Sequence, residues 1–138
     1  MPDAELERLT QEIAASPNDP IDEPPETALE YLASLNLSDD DLEILLGDVP
    51  GLSFADVKQN AAALYFRIRQ VIASLVCSDG NLKESIKQAI TVGVEAVWLA
   101  LLSVLGITPE TLAAAALKPL AGGLAASGVD RLCVTPHP

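Results

Sequence analysis

Apolar residues recur along this 138-residue chain at intervals of three and four, the period of a helix with one buried face. Leu6, Leu9 and Ile13 mark the first such stripe, in a helix predicted within 1–16 whose first-turn acids suit the helix dipole. A helix so short, with so narrow a stripe, is stable only when docked, either on its own domain or as a helix in a partner's groove. Residues 17–25 then carry four prolines, Pro17, Pro20, Pro24 and Pro25, without apolar periodicity, and read as a stiff polar linker.

Helical patterning resumes at Glu26, with Ala28, Leu29, Leu32, Ala33 and Leu35 on or near one face, and stops near Asn36. Ser38 with Asp41 three residues on predicts a capping box, opening a short helix that carries Leu42, Leu45 and Leu46 to Gly47. Ser53 and Asp56 repeat that logic ahead of a long helix over 54–77, where Val57, Ala61, Leu64, Ile68, Val71 and Leu75 form a heptad-like seam. After a short turn, Asn81 and Glu84 are expected to cap a second long helix, running through Ile86, Ile90, Val94, Val97, Leu101 and Leu105 to Gly106. The shortness of that turn makes the two an antiparallel hairpin. Thr108-Pro109 predicts one more start, with Leu112 to Lys118 helical, an interruption at Pro119, and a small-residue helix through Leu120 to Ala126. The expected fold is therefore all-α: a compact bundle of five or six helices over 26–128 around a central antiparallel hydrophobic hairpin, with an irregular tail over 129–138.

Composition changes this picture mainly through charge. The chain is 49% hydrophobic but only 4% aromatic, so its apolar content is chiefly Ala, Leu, Val and Ile, in keeping with helix. Its net charge of −12 is unevenly placed. Residues 1–58 hold 15 of the 20 acids and only two bases, Arg8 and Lys58, a local charge of −13, while the remaining 80 residues carry five acids and six bases, or +1. Such a field repels phosphate backbones, so nucleic acid is not an expected partner. An acidic front serves either as a solvated face or as a docking surface for a basic protein partner. The candidate contacts are the stripe Leu6, Leu9 and Ile13 and the acids Asp39, Asp40, Asp41 and Glu43. Arg67 and Arg69 are expected to draw the acidic segment against the bundle.

Candidate chemistry is sparse. The acids around Asp39 fail as an EF-hand, because Ile44 stands where that loop needs Gly and Pro50 where it needs the bidentate Glu. The single histidine, His137, lies next to the last residue, and no Glu-x-x-His pair or Gly-rich nucleotide loop occurs. Cys77 and Cys133 are read as free buried thiols. No catalytic, metal or cofactor residue is expected, and the chain is read as a non-enzymatic adaptor, regulator or inhibitor.

The alternative reading is a membrane-acting or lipid-binding protein using 89–127, with Trp98, Leu101 and Leu102 as the apolar-ligand or membrane contacts. Ala89–Ile107 has 19 residues and one charge, Glu95, close to the length of a bilayer span. An acid within such a span costs about 2.5–3.5 kcal/mol on insertion scales, which favours a buried bundle helix. Residues 2–16 lack the apolar core of a secretory signal, so a cytoplasmic protein is expected. A helix this apolar in a short chain also suits a homo-oligomer.

Overall fold

The computed structural model describes residues 4–15, 21, 24–47 and 54–133. It is all-α and compactly packed, with 81% helix and no strand among the described residues. In chain order the helices are α1 (Ala4–Ala14), α2 (Glu26–Ser34), α3 (Asp39–Leu46), α4 (Phe54–Gln59), α5 (Ala61–Val76), α6 (Gly80–Val92), α7 (Val94–Leu105), α8 (Leu112–Ala116), α9 (Lys118–Ser127) and α10 (Val129–Cys133). The predicted linker over 17–25 lies mostly outside the described residues, but Ile21 is described and fully buried.

Seven helices among the described residues reach at least seven residues, α1 and six within 26–128, and both long predicted helices are divided. The first breaks at Asn60, whose backbone is extended and whose side chain accepts a hydrogen bond from the Ala63 amide at 3.1 Å. The asparagine thus ends α4 and caps α5, the competition with the backbone typical of Asn within a helical pattern. The second breaks at Gly93, with φ 151° and ψ 171°, a conformation open essentially to glycine alone. An apolar run that hydropathy reads as continuous is therefore two shorter helices. No single helix among the described residues is long and apolar enough to cross a membrane.

Between α5 and α6 the chain turns through 116°, short of the reversal that a lengthwise antiparallel hairpin needs. The cap of α6 is Asp79 rather than Asn81: its carboxylate accepts from the Asn81 and Leu82 amides at 2.9 and 3.3 Å, so the helix begins at Gly80. Likewise Thr111, not Thr108, caps α8 by accepting from the Ala114 amide at 3.1 Å, and Pro109 falls in the preceding turn. The buried stripe of α5 is Leu64, Tyr65, Ile68, Ile72 and Val76; Leu75, a seam position in the heptad reading, is 40% exposed. A straight helix drifts away from a 3.5-residue repeat within a few turns, and α5 follows the 3.6 period.

The expected irregular tail is helical over α10, where Val129 and Leu132 enter the core. This short helix returns Cys133 to the C-terminal end of α5, where it is disulfide-bonded to Cys77 across 56 positions of sequence. The cysteines are therefore neither free nor deeply buried, Cys77 being exposed and Cys133 partly so. Asp130 of α10 ion-pairs with Lys83 and Lys87 of α6 at 3.2 and 3.7 Å. The Lys83 hydrogen bond, helped by the charge of Lys87, holds the Asp130 carboxyl below the ordinary aspartate range.

The principal core gathers side chains from α1 to α10, among them Leu6, Leu42, Ile68, Ile86, Leu101, Leu117 and Leu120. A smaller cluster of Leu9, Ile13 and Ala28, with Tyr31 packed against it, lies between α1 and α2. It forms the floor of the candidate site.

Candidate functional site

The N-terminal helix is built into the fold. Its stripe Leu6, Leu9 and Ile13 is buried, and α1 crosses α9 at Gly122. The approach is so close that a β-carbon at Gly122 would stand 3.0 Å from Ile13 Cδ1, 3.2 Å from Thr10 Oγ1 and 3.4 Å from Thr10 Cα. Any larger residue would make its neighbours give by a few tenths of an ångström, so glycine suits this close approach. Thr10 is itself fixed, since its hydroxyl donates to the Leu6 carbonyl at 2.7 Å.

A polar clasp reinforces this contact. Lys118, at the start of α9, is 8% exposed; its Nζ lies 3.2 Å from Glu5 Oε1 and 5.1 Å from the centroid of the Trp98 ring. A cation at a helix N-terminus opposes the helix dipole, so the facing carboxylate and the indole face offset an otherwise unfavourable placement. The same Glu5 oxygen accepts from the Tyr31 hydroxyl at 2.9 Å, so one carboxylate ties α1 to both α2 and α9. Trp98 Nε1 in turn donates to the Ala114 carbonyl at 2.8 Å, which fixes the indole beneath Lys118.

Above the small apolar cluster, α1 and α2 border an open groove of about 570 Å³. Glu5, Arg8 and Glu12 line it from α1, Thr27, Glu30, Tyr31 and Ser34 from α2, and Leu9 lies at its base. Three carboxylates thus line the groove with one guanidinium, and one of the three, Glu5, is already paired with Lys118. The residues recur at helical spacing, Glu5, Arg8 and Glu12 at i, i+3, i+7 and Thr27, Glu30 and Ser34 likewise, so each helix offers one polar stripe beside its buried one. Glu12, Glu30 and Arg8 are exposed and available to solvent.

The residues singled out from the sequence lie elsewhere or play other parts. Leu6, Leu9 and Ile13 are occupied within this chain rather than displayed to another. Asp41 closes the capping box, accepting from the Ser38 amide at 3.1 Å while its own amide donates to Ser38 Oγ at 3.2 Å. Asp39 is ion-paired with Lys58, and Asp40 and Glu43 are exposed on α3. Trp98, Leu101 and Leu102 are buried in the main core. Lys118 and Lys58 both meet acids of the N-terminal region, Arg67 donates to Gln70 at 3.5 Å on its own helix, and Arg69 is buried on α5. The polar stripes of α1 and α2 were visible as spacing; their juxtaposition across a proline-rich connection was not.

No protein-family model, curated protein or solved structure matches this chain.

Proposed function

We propose that this protein is a non-enzymatic interaction module, an adaptor, regulator or inhibitor, and that the α1–α2 groove receives a basic segment of a partner protein. The groove itself carries this reading: about 570 Å³ of open space bordered by Glu5, Glu12 and Glu30 against Arg8. Rim charges of one sign steer and orient a partner of the other sign, and matter more for recognition than for raw affinity. The groove walls are held in place by the Gly122 contact and the Glu5–Lys118 clasp, so little ordering is needed when a partner arrives.

Removing residues 1–24 is a poor test, because it strips four side chains, Leu6, Leu9, Ile13 and Ile21, from the interior along with the acids. The exposed pair Glu12→Gln/Glu30→Gln leaves the packing intact. Titrating a lysine- and arginine-rich peptide into the wild type by calorimetry should give binding that weakens as salt is raised. The double variant should bind about three- to tenfold more weakly, as expected for two exposed charge contacts of roughly 0.3–0.7 kcal/mol each. Equal affinity in the two proteins would contradict the assignment.

A further inference from the structure

We propose that the Cys77–Cys133 disulfide is a thiol-exchange site, that small thiols of the glutathione class attack it at Cys77, and that its opening releases α10. This goes beyond the interaction reading and is independent of it. The site is a second, open groove along α5, of about 370 Å³. Phe66, Arg69, Gln70 and Ala73 line it, with both cysteines at one end.

Exposure decides which sulfur is attacked. Cys77 caps the C-terminal end of α5 and is open to solvent, whereas Cys133 is partly covered. An incoming thiolate therefore reaches Cys77 Sγ first. The new sulfur–sulfur bond forms as the Cys77–Cys133 bond breaks, and the electron pair leaves on Cys133, which takes a proton from water. A second small thiolate then attacks the small-thiol sulfur of the mixed disulfide and displaces Cys77. The balance is one small disulfide formed and two protein thiols gained. Arg69, buried on α5, lines the same groove as the two cysteines.

The consequence falls on α10. Five residues do not make a stable helix alone. Besides the disulfide, Val129 and Leu132 in the core and the solvent-exposed Asp130 ion pairs hold α10, and Arg131 adds a further polar contact. Breaking the covalent tie therefore frees the element most dependent on it, while α7 and α9 keep their own packing.

The test uses the oxidised full chain, exposed briefly to reduced glutathione, quenched in acid and mapped by peptide mass spectrometry. Adduct should appear on Cys77 several-fold more than on Cys133, and oxidised glutathione should give Cys133→Ser a Cys77 adduct that no second protein thiol can displace. Hydrogen exchange of the fully reduced chain should show protection lost at α10 and retained at α7 and α9. Adduct mainly on Cys133, reaction only after denaturant is added, or loss of protection throughout the chain would each overturn the proposal. The wild-type mapping stands by itself where the variant fails to fold.

Discussion

Substituting Gly122 tests whether α1 is seated on α9 as the structure describes, because the sign of the effect depends on it. In the interior of an open helix, Gly→Ala gains about 1 kcal/mol of helix propensity. Beneath α1 the added carbon meets Ile13 Cδ1 at 3.0 Å and Thr10 Oγ1 at 3.2 Å. Neither neighbour yields easily: Ile13 is fully packed, and the Thr10 hydroxyl is held by the Leu6 carbonyl. Overpacking of this kind costs about 1–3 kcal/mol, so Gly122→Ala should lose about 0–2 kcal/mol net. Gly122→Leu is more decisive, since its three further carbons have no space unless α1 lifts. Lifting it returns Leu6, Leu9 and Ile13 to water at about 1.5–3 kcal/mol each, a ceiling of about 5–9 kcal/mol on the loss. Urea denaturation of both variants measures the stability change, and hydrogen exchange of α1 locates it. If both are more stable than wild type by about 1 kcal/mol, α1 is not docked there and the groove loses one of its walls.

Other consequences are local. Ser38→Ala removes the hydroxyl half of the capping box of α3, leaving the Asp41 amide without its acceptor while the Asp41 carboxylate still accepts from the residue-38 amide, and should destabilise the protein by about 1 kcal/mol in denaturant melts. Replacing both cysteines by serine opens a covalent link across 56 positions and should cost about 4 kcal/mol by the chain-entropy relation, read as a lower denaturant midpoint under non-reducing conditions. The Asp130 carboxyl, depressed by Lys83 and Lys87, should titrate below the ordinary aspartate value by NMR, and Lys83→Met should raise it. Because the folded-state value is the lower one, this contact contributes fully above the ordinary aspartate value and is lost as pH falls through the folded one.

What was legible in the sequence was the chemistry confined to a few adjacent residues. Ser38 and Asp41 lie within one turn, so the capping box and the start of α3 follow from them directly. The α1 stripe was equally clear, because Leu6, Leu9 and Ile13 are buried just where their spacing puts them on one face. The breaks at Asn60 and Gly93 were not. Each sits inside an apolar pattern that continues past it, and only the backbone geometry shows Asn60 turning its side chain to the Ala63 amide and Gly93 adopting φ 151°. The heptad reading of α5 failed for a related reason, since spacings of four and three fit both a 3.5 and a 3.6 period over two turns and part only later, at Leu75. The groove depended on longer range still. It needs α1 to return across a proline-rich segment and lie beside α2, and it needs Lys118 to meet Glu5 across 113 positions. Nothing local encodes those meetings. Gly122 held a clue as a small residue in an apolar helix, but the partner it admits, α1, is a tertiary fact.

The central claim is that the groove between α1 and α2 is where a basic segment of another protein is received. The most direct measurement is an amide NMR titration of the isotopically labelled full chain with a lysine- and arginine-rich peptide. The resonances of Arg8, Glu12, Thr27, Glu30 and Ser34 should shift together along one saturating curve, and the same shifts should shrink in Glu12→Gln/Glu30→Gln. Shifts confined to Asp39–Glu43 of α3 or to the exposed Val92 and Leu99 of α6 and α7, or no saturable shift at all, would contradict it.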